Sequence, residues 1–287
     1  MKLSSVLGKG KPTLSFEVFP PKTADAYETV ERAVEEIAAL KPAYMSVTYG
    51  AGGGTSAFTT SIASNILNRY HVTPLAHLTC VSSTKETVKR QVELLKQEGI
   101  ENILALRGDV PAGGEVEDSD YKYASELIYD LKQQGDFCIG AACYPDCHPE
   151  SLSVAEDIRR LKEKVDAGCD FLTTQMFFDN HILYSFLYKI REAGITVPVV
   201  AGIMPATNAK QIKRICSLSG TYLPQRFKAI VDRFGSDSNA MTQAGIAYST
   251  DQIIDLLANG VNAVHVYSMN KPFVARKIQE NLSEILK

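Results

Sequence analysis

Ser83-Thr84-Lys85-Glu86-Thr87-Val88-Lys89-Arg90-Gln91-Val92-Glu93-Leu94-Leu95-Lys96-Gln97-Glu98-Gly99-Ile100-Glu101-Asn102-Ile103-Leu104-Ala105-Leu106-Arg107 holds one whole helix–strand unit. Val88, Val92 and Leu95 recur at spacings of four and three, which is one face of a helix. Ser83 and Glu86 fit the capping box that starts a helix. Gly99 offers the left-handed residue that ends one. Ile103–Arg107 is then a short apolar run closed by a polar end, the pattern of a parallel strand covered on both faces.

The same unit recurs on both sides. The other strand candidates are Leu14–Phe19, Tyr44–Thr48, Leu75–Thr79, Cys138–Ala142, Phe171–Gln175, Val197–Ile203 and Ala263–Tyr267. Ser153 and Glu156 form a second capping box. Gly135, Gly168, Gly194 and Gly260 each stand a few residues before the next strand, as Gly99 does. Eight strand–helix units in roughly 250 residues imply one closed (β/α)8 barrel, a TIM barrel, over residues 1–287. The connection between the last two strands is long enough for an extra helix or two. An open doubly wound sheet is the second choice. It lacks its nucleotide fingerprint, because Gly50-Ala51-Gly52-Gly53-Gly54-Thr55 has threonine where the last glycine belongs. No Walker-type Gly-Lys-Ser/Thr occurs.

Composition narrows the function. The chain has 287 residues, 45% hydrophobic residues and a net charge of −3. No basic field points to nucleic acid or to an anionic membrane. No apolar run approaches the roughly 20 residues of a membrane span. Met1-Lys2-Leu3-Ser4-Ser5-Val6 lacks the apolar core of a secretory signal, so a cytoplasmic protein is expected. Cys80, Cys138, Cys143, Cys147, Cys169 and Cys216 are scattered and read as free thiols. Cys143, Cys147 and His148 cluster, but no second ligand group lies at a familiar spacing, so no metal is expected.

Glu17 is the most informative single residue. It sits in the apolar run Ser15-Phe16-Glu17-Val18-Phe19, stopped by Pro20 and Pro21. A charged carboxylate there costs several kcal/mol unless it is paired or protonated. Burial raises a carboxyl pKa, which suits a general acid at neutral pH. The competing reading is a carboxylate satisfied by a buried arginine or by backbone N–H groups.

Barrel active sites collect at the C-terminal strand ends. Those ends carry Glu17, Thr48, His77, Arg107-Gly108-Asp109, Tyr144 with His148, Gln175, and His265 through Tyr267, Asn270 and Lys271. After the fifth strand, Asp157, Arg160 and Lys164 share one helical face. That face is either a solvated set of salt bridges or a site for ribose and pyrophosphate, since Arg and Lys suit phosphate oxygens. His71 and His181 read as solvated residues, and His265 is open to a core role.

Together these segments resemble methylenetetrahydrofolate reductase of the short bacterial type. The resemblance rests on Ser15–Pro21, Ser46–Gly50, His77–Cys80, Ala105–Pro111, Tyr123–Ser125, Ala142–Pro145, His148-Pro149, Lys164–Gly168, Thr174-Gln175, Phe177–Asp179 and His265–Asn270, in the family's order over nearly the whole chain. It implies a (β/α)8 barrel with noncovalent FAD. NADH or NADPH would reduce the flavin, which would then reduce 5,10-methylenetetrahydrofolate to 5-methyltetrahydrofolate. The resemblance implies that Thr48, His77, Leu106, Arg107, Gly108, Asp109, Tyr123, Ala124, Ala142, Tyr144, His148, Asp157, Arg160 and Lys164 surround the FAD. It makes Glu17 the acid that opens the folate's five-membered ring. Asp109 would lie by the flavin ring and set its potential. Gln175, Gln211, Tyr267 and Lys271 would join Glu17 and Asp109 around the folate.

Four features depart from the family pattern. Ile215 replaces an aromatic, Lys271 an arginine and Glu163 a basic residue, and the loop Val110–Asp120 is long and acidic. These bear mainly on the electron donor. The chain also ends after one barrel, without the regulatory domain of eukaryotic relatives. A homo-oligomer is expected. The alternatives are a flavin-bearing subunit fed electrons by a partner protein, and a (β/α)8 lyase or aldolase. The lyase would need a Schiff-base lysine or a metal at the strand ends, where Lys271 is the one lysine.

Overall fold

Alternation within short strands decides what the barrel holds. In β1 (Thr13–Val18), Phe16 and Val18 face outward into the core beneath the helices, so Ser15 and Glu17 face inward. The other strands are β2 (Met45–Val47), β3 (Pro74–Thr79), β4 (Asn102–Leu106), β5 (Cys138–Cys143), β6 (Phe171–Thr174), β7 (Val199–Ile203) and β8 (Ala263–Val266). Each pairs in parallel with the next, and β8 pairs with β1, so the barrel closes. All eight expected strands are present, with ends within two residues of expectation. The structure is a computed structural model that describes residues 1–49, 56–81, 83–108 and 119–287.

The outer layer is α1 (Tyr27–Ala38), α2 (Ser56–Asn68), α3 (Lys85–Gln97), α4 (Ala124–Gln134), α5 (Val154–Asp166), α6 (Asn180–Glu192), α7 (Ala209–Ser219) and α10 (Pro272–Asn281). Two more helices, α8 (Gln225–Phe234) and α9 (Ser238–Ala258), fill the long connection to β8. With α7 they bury Ile212, Phe227, Val231 and Met241 against Met176 and Phe178 beyond β6. The main core lies between strands and helices, where Ile37, Val92, Ile128, Ile190 and Ile278 are fully buried.

The N-terminal end of the barrel is plugged. Leu3 and Leu7 pack with Tyr44, Leu75, Leu104 and Phe171. Asn102 holds the plug: its Oδ1 accepts from Leu3 N at 2.8 Å and its Nδ2 donates to Met1 O at 3.0 Å. An apolar plug at one end leaves the other for chemistry.

Two local expectations are corrected. Thr84, not Ser83, caps α3, accepting from Thr87 N, while Ser83 Oγ donates to Thr79 O. Gly135 ends α4 with extended backbone (φ 174°), whereas Gly99, Gly168, Gly194 and Gly260 take positive φ. Extended backbone is open to any residue, but a Cβ at Gly135 would stand 2.9 Å from the Phe137 ring. Ser153 does cap α5, accepting from Glu156 N. The segment Gly50–Thr55 lies outside the described residues.

Candidate active site

The strands close a polar layer over the apolar plug. His77 lies between Ala76 and Leu78, and His265 between Val264 and Val266; all four neighbours belong to the outer core. Both imidazoles therefore face the barrel interior, with Glu17, Ser46 and Thr173. Above this layer, at the C-terminal strand ends, opens a cavity of ≈ 600 Å³. That size suits a cofactor or a large substrate.

Glu17 is 7% exposed and lines the cavity. Its carboxyl has no hydrogen bond to any described residue. Burial raises its pKa to about 8, so the group is protonated at neutral pH. This answers the question the sequence left open: among the described residues, no arginine and no backbone N–H satisfies it. Its backbone is fixed instead, because Ser268 Oγ donates to Glu17 O at 2.9 Å.

The histidines divide by their partners. His265 is a satisfied core residue: Ser15 Oγ lies 2.7 Å from Nδ1 and Ser46 Oγ 2.9 Å from Nε2. Its ring stacks on Tyr44 at 5.3 Å. His77 Nε2 is buried with no hydrogen-bond partner among the described residues, 3.8 Å from Glu17 Oε2. Burial lowers both imidazoles to about 3, so both are neutral. His71 and His181 are exposed, as expected.

Two glycines let the backbone come close. Gly108, just past β4, has φ +86°, and a Cβ there would stand 2.6 Å from Val81 Cγ1. At Gly202 in β7, a Cβ would meet Thr174 O at 2.3 Å and Tyr267 Oη at 2.4 Å. The Tyr267 hydroxyl occupies that space, donating to Thr174 O at 2.6 Å.

The outer wall is charged. Arg107 grips Glu150 with two hydrogen bonds, 2.5 and 2.7 Å. This bond holds Glu150 below the usual carboxylate range. Asp157 accepts from His148 N at 3.2 Å and from Ser151 Oγ at 3.2 Å. The Tyr144 and His148 rings meet edge-on at 4.5 Å. The Arg160 guanidinium lies 4.5 Å from the Tyr123 ring centre and 3.2 Å from Glu163. Lys164 is partly buried and donates to Ala142 O at 2.8 Å, and desolvation lowers its pKa. The α5 face thus lines the cavity and also carries a partly exposed salt bridge, Arg160 to Glu163.

Glu17, Thr48, His77, Leu106, Arg107, Gly108, Tyr123, Ala124, Ala142, Tyr144, His148, Asp157, Arg160, Lys164, Gln175 and Tyr267 all line this one cavity. Asp109 lies outside the described residues, as do 110–118. Gln211 and Lys271 are absent from the cavity wall. Gln211 is tied into the first turn of α7, where its N–H donates to Asn208 Oδ1 at 2.9 Å. Lys271 precedes α10, and its ammonium is held by Thr207 Oγ1 at 2.6 Å. Both follow strand ends on the same rim. Sequence reasoning missed Glu150, although it follows His148-Pro149 directly. It also gave no role to Ser268 or Asn270, whose work depends on Glu17 and Phe19, about 250 residues away in the chain. Among the described residues, no group of three or more His, Cys, Asp or Glu could hold a metal, and no helix is long and apolar enough to cross a membrane.

Comparison with known proteins shows the family of the chain. Residues 2–283 match the family model described as Methylenetetrahydrofolate reductase. The chain is 35% identical over 263 residues to 5,10-methylenetetrahydrofolate reductase of Pectobacterium carotovorum, covering 92% of this chain and 87% of that one. It is 34% identical over 298 residues to Methylenetetrahydrofolate reductase (NADH) 1 of Zea mays. There it covers 99% of this chain but only 50% of the plant protein. A solved Clostridium thermocellum protein, described as binding two copies of 5-methyl-5,6,7,8-tetrahydrofolic acid, shares the fold. Its TM-score is 0.63 at 12% identity, with 96% of each chain covered.

Proposed function

Because the chain belongs to the methylenetetrahydrofolate reductase family, we propose that it reduces 5,10-methylenetetrahydrofolate to 5-methyltetrahydrofolate, using FAD and a reduced nicotinamide. The name of the Zea mays relative specifies NADH, so NADH is the first donor to test. The observation that carries the reading is Glu17: a protonated carboxyl with no hydrogen-bond partner among the described residues, facing a large cavity from the end of a barrel strand.

The cavity walls fit a dinucleotide. Arg107, Arg160 and Lys164 supply cationic N–H donors for two phosphates. Gly108 presents backbone without a side chain in the way. Tyr123, Ala124, Tyr144, His148 and Asp157 would complete the hold on the nucleotide, with Thr48, His77, Leu106 and Ala142 nearer the ring. When bound, FAD carries the hydride between nicotinamide and folate.

The chain's own work is to hold and move a proton. Glu17 gives its proton to a nitrogen of the folate's five-membered ring, which opens the ring to the iminium that accepts hydride. A carboxylic acid held protonated at neutral pH supplies that step. The apolar plug and the ring of helices keep bulk water from the floor. Gln175 and Tyr267 would meet the pterin beside Glu17. Gln211 and Lys271, on the rim, would meet the folate's tail, where the lysine ammonium suits a carboxylate. Asp109 would lie beside the flavin and set its potential.

The test is anaerobic. The purified protein, loaded with FAD, is mixed with NADH and then with methylenetetrahydrofolate. Bleaching at the first step and recovery at the second, with 5-methyltetrahydrofolate as product, support the reading. A protein that gains no flavin on reconstitution contradicts it.

A further inference from the structure

His77 has a neighbour and no bond. Its Nε2 is buried, has no hydrogen-bond partner among the described residues, and lies 3.8 Å from Glu17 Oε2. An unpaired buried N–H or ring nitrogen is destabilising, so the position calls for a reason. His265, the other interior imidazole, has both nitrogens engaged by Ser15 and Ser46. His77 alone is left with a ring nitrogen aimed at the acid.

We propose that His77 is a positioning residue for Glu17: its Nε2–H donates a hydrogen bond to the carboxylate that forms as the acid gives up its proton. The idea rests on the reductase reading above. In the step, the Glu17 O–H bond breaks and an N–H bond forms on the folate nitrogen. The electron pair stays on the carboxylate, and a solvent proton restores the acid after product leaves. At 3.8 Å the contact is too long for a hydrogen bond to the neutral acid. It shortens as charge develops on the oxygen, so the donor stabilises the ionised form more than the resting one. The role requires the Nε2–H tautomer of a neutral imidazole. Burial keeps the ring neutral, so it does not ionise Glu17 in the resting state.

Among the described residues, the other titratable groups facing Glu17 stay neutral. These are Tyr44, which precedes β2, and Tyr267, which follows β8; burial raises both phenols. His265, which faces His77, is held neutral as well. The pH response therefore belongs to the Glu17–His77 pair among the described residues.

Three variants decide it. Leucine at 77 removes the donor. Glutamine places an amide N–H near the Nε2 position, and asparagine stops short of it. Each is loaded with FAD, its flavin content is measured separately, and the folate half-reaction is followed against pH. Expected for His77→Leu are a fall of at least about tenfold on the acid plateau and a shift of the high-pH limb upward. His77→Gln is expected to regain most of that rate and the wild-type limb. His77→Asn should behave like the leucine variant, and it replaces that variant if leucine does not fold. Variants that lose flavin affinity but keep the wild-type pH profile would overturn the proposal and leave His77 as a wall of the cofactor site. A wild-type enzyme that never reoxidises with folate contradicts the reductase reading itself, before any variant is compared.

Discussion

The side chain of Asn270 pairs with the backbone of Phe19 at both ends. Oδ1 accepts from Phe19 N at 2.8 Å, and Nδ2 donates to Phe19 O at 2.9 Å. The amide thus extends the ladder past β1, where a strand partner would otherwise be needed. Asn270 (φ +52°) and Met269 (φ +55°) both hold the left-handed conformation that presents this amide. Such a conformation is costly for residues other than glycine and needs support from its surroundings. Ser268 adds its bond to Glu17 O, so this turn grips β1 at Glu17 and again at Phe19.

Asn270→Ala is therefore expected to cost about 1–3 kcal/mol, through two unpaired backbone groups. Denaturant unfolding measures that loss. The folate half-reaction should fall more than flavin reduction by NADH, because Glu17 is the group the clamp positions. Equal losses in both half-reactions would limit Asn270 to stability.

Gly202→Ala should displace Tyr267. The new Cβ meets backbone at Thr174 O and the Tyr267 hydroxyl together, and the carbonyl has little room to yield. Overpacking of this kind costs about 1–3 kcal/mol. Combining Gly202→Ala with Tyr267→Phe, which removes the hydroxyl, should recover part of that loss in thermal unfolding. No recovery would mean that the carbonyl, not the phenol, is the obstacle.

The barrel could be read before any coordinates because each unit is local. Apolar runs, caps and glycines lie within about thirty residues of one another, and strand–helix alternation then leaves few topologies. The cavity wall was legible for a related reason. Strand ends such as Arg107 and Gln175 must meet once the barrel closes. Asn270 with Phe19, and Lys271 with Thr207, were not legible, because nothing local ties a side chain to a backbone or hydroxyl on a distant loop. Glu150 was missed because its partner, Arg107, comes from a different strand. Ser83 was chosen over Thr84 because two adjacent hydroxyl residues offer the same capping chemistry. In the structure Thr84 has the extended backbone of an N-cap and its hydroxyl accepts from Thr87 N.

The buried acid also predicts a pH response of stability. Folded Glu17 keeps its proton to about pH 8, whereas an unfolded glutamate loses it near 4.5. Between those values the folded state binds more protons, so stability falls as pH rises. Glu17→Gln removes that slope. Its stability relative to wild type should rise by a few kcal/mol between about pH 4.5 and 8, at roughly 1.4 kcal/mol per unit. His77 and His265 act in the opposite sense: folded they stay neutral to about 3, unfolded they protonate near 6.5, so stability falls as pH drops below 6.5. Urea unfolding across pH 4.5 to 9 measures both flanks. A constant gap between wild type and variant would mean that Glu17 is not held protonated.

Charge on the outer wall should set flavin retention in both directions. Arg160→Glu is expected to weaken FAD binding about tenfold, by replacing a charge-assisted donor with repulsion. Glu163→Lys is expected to tighten it, because Glu163 now pairs with Arg160 at 3.2 Å. Flavin titration at two salt concentrations reads both effects, and the difference should shrink at high salt. Equal affinities in the two variants would place the phosphates away from α5.

Glu17→Gln tests the central claim most directly, by rapid mixing of each half-reaction. The amide is nearly isosteric and removes the buried acid from the floor of the cavity. Reduction of the flavin by NADH needs no proton from that position and should keep a similar rate. Transfer to methylenetetrahydrofolate should fall by about 10²–10⁴-fold, the range for a lost general acid. A variant that reduces the folate at a near-normal rate, or that loses both half-reactions together, would contradict the account.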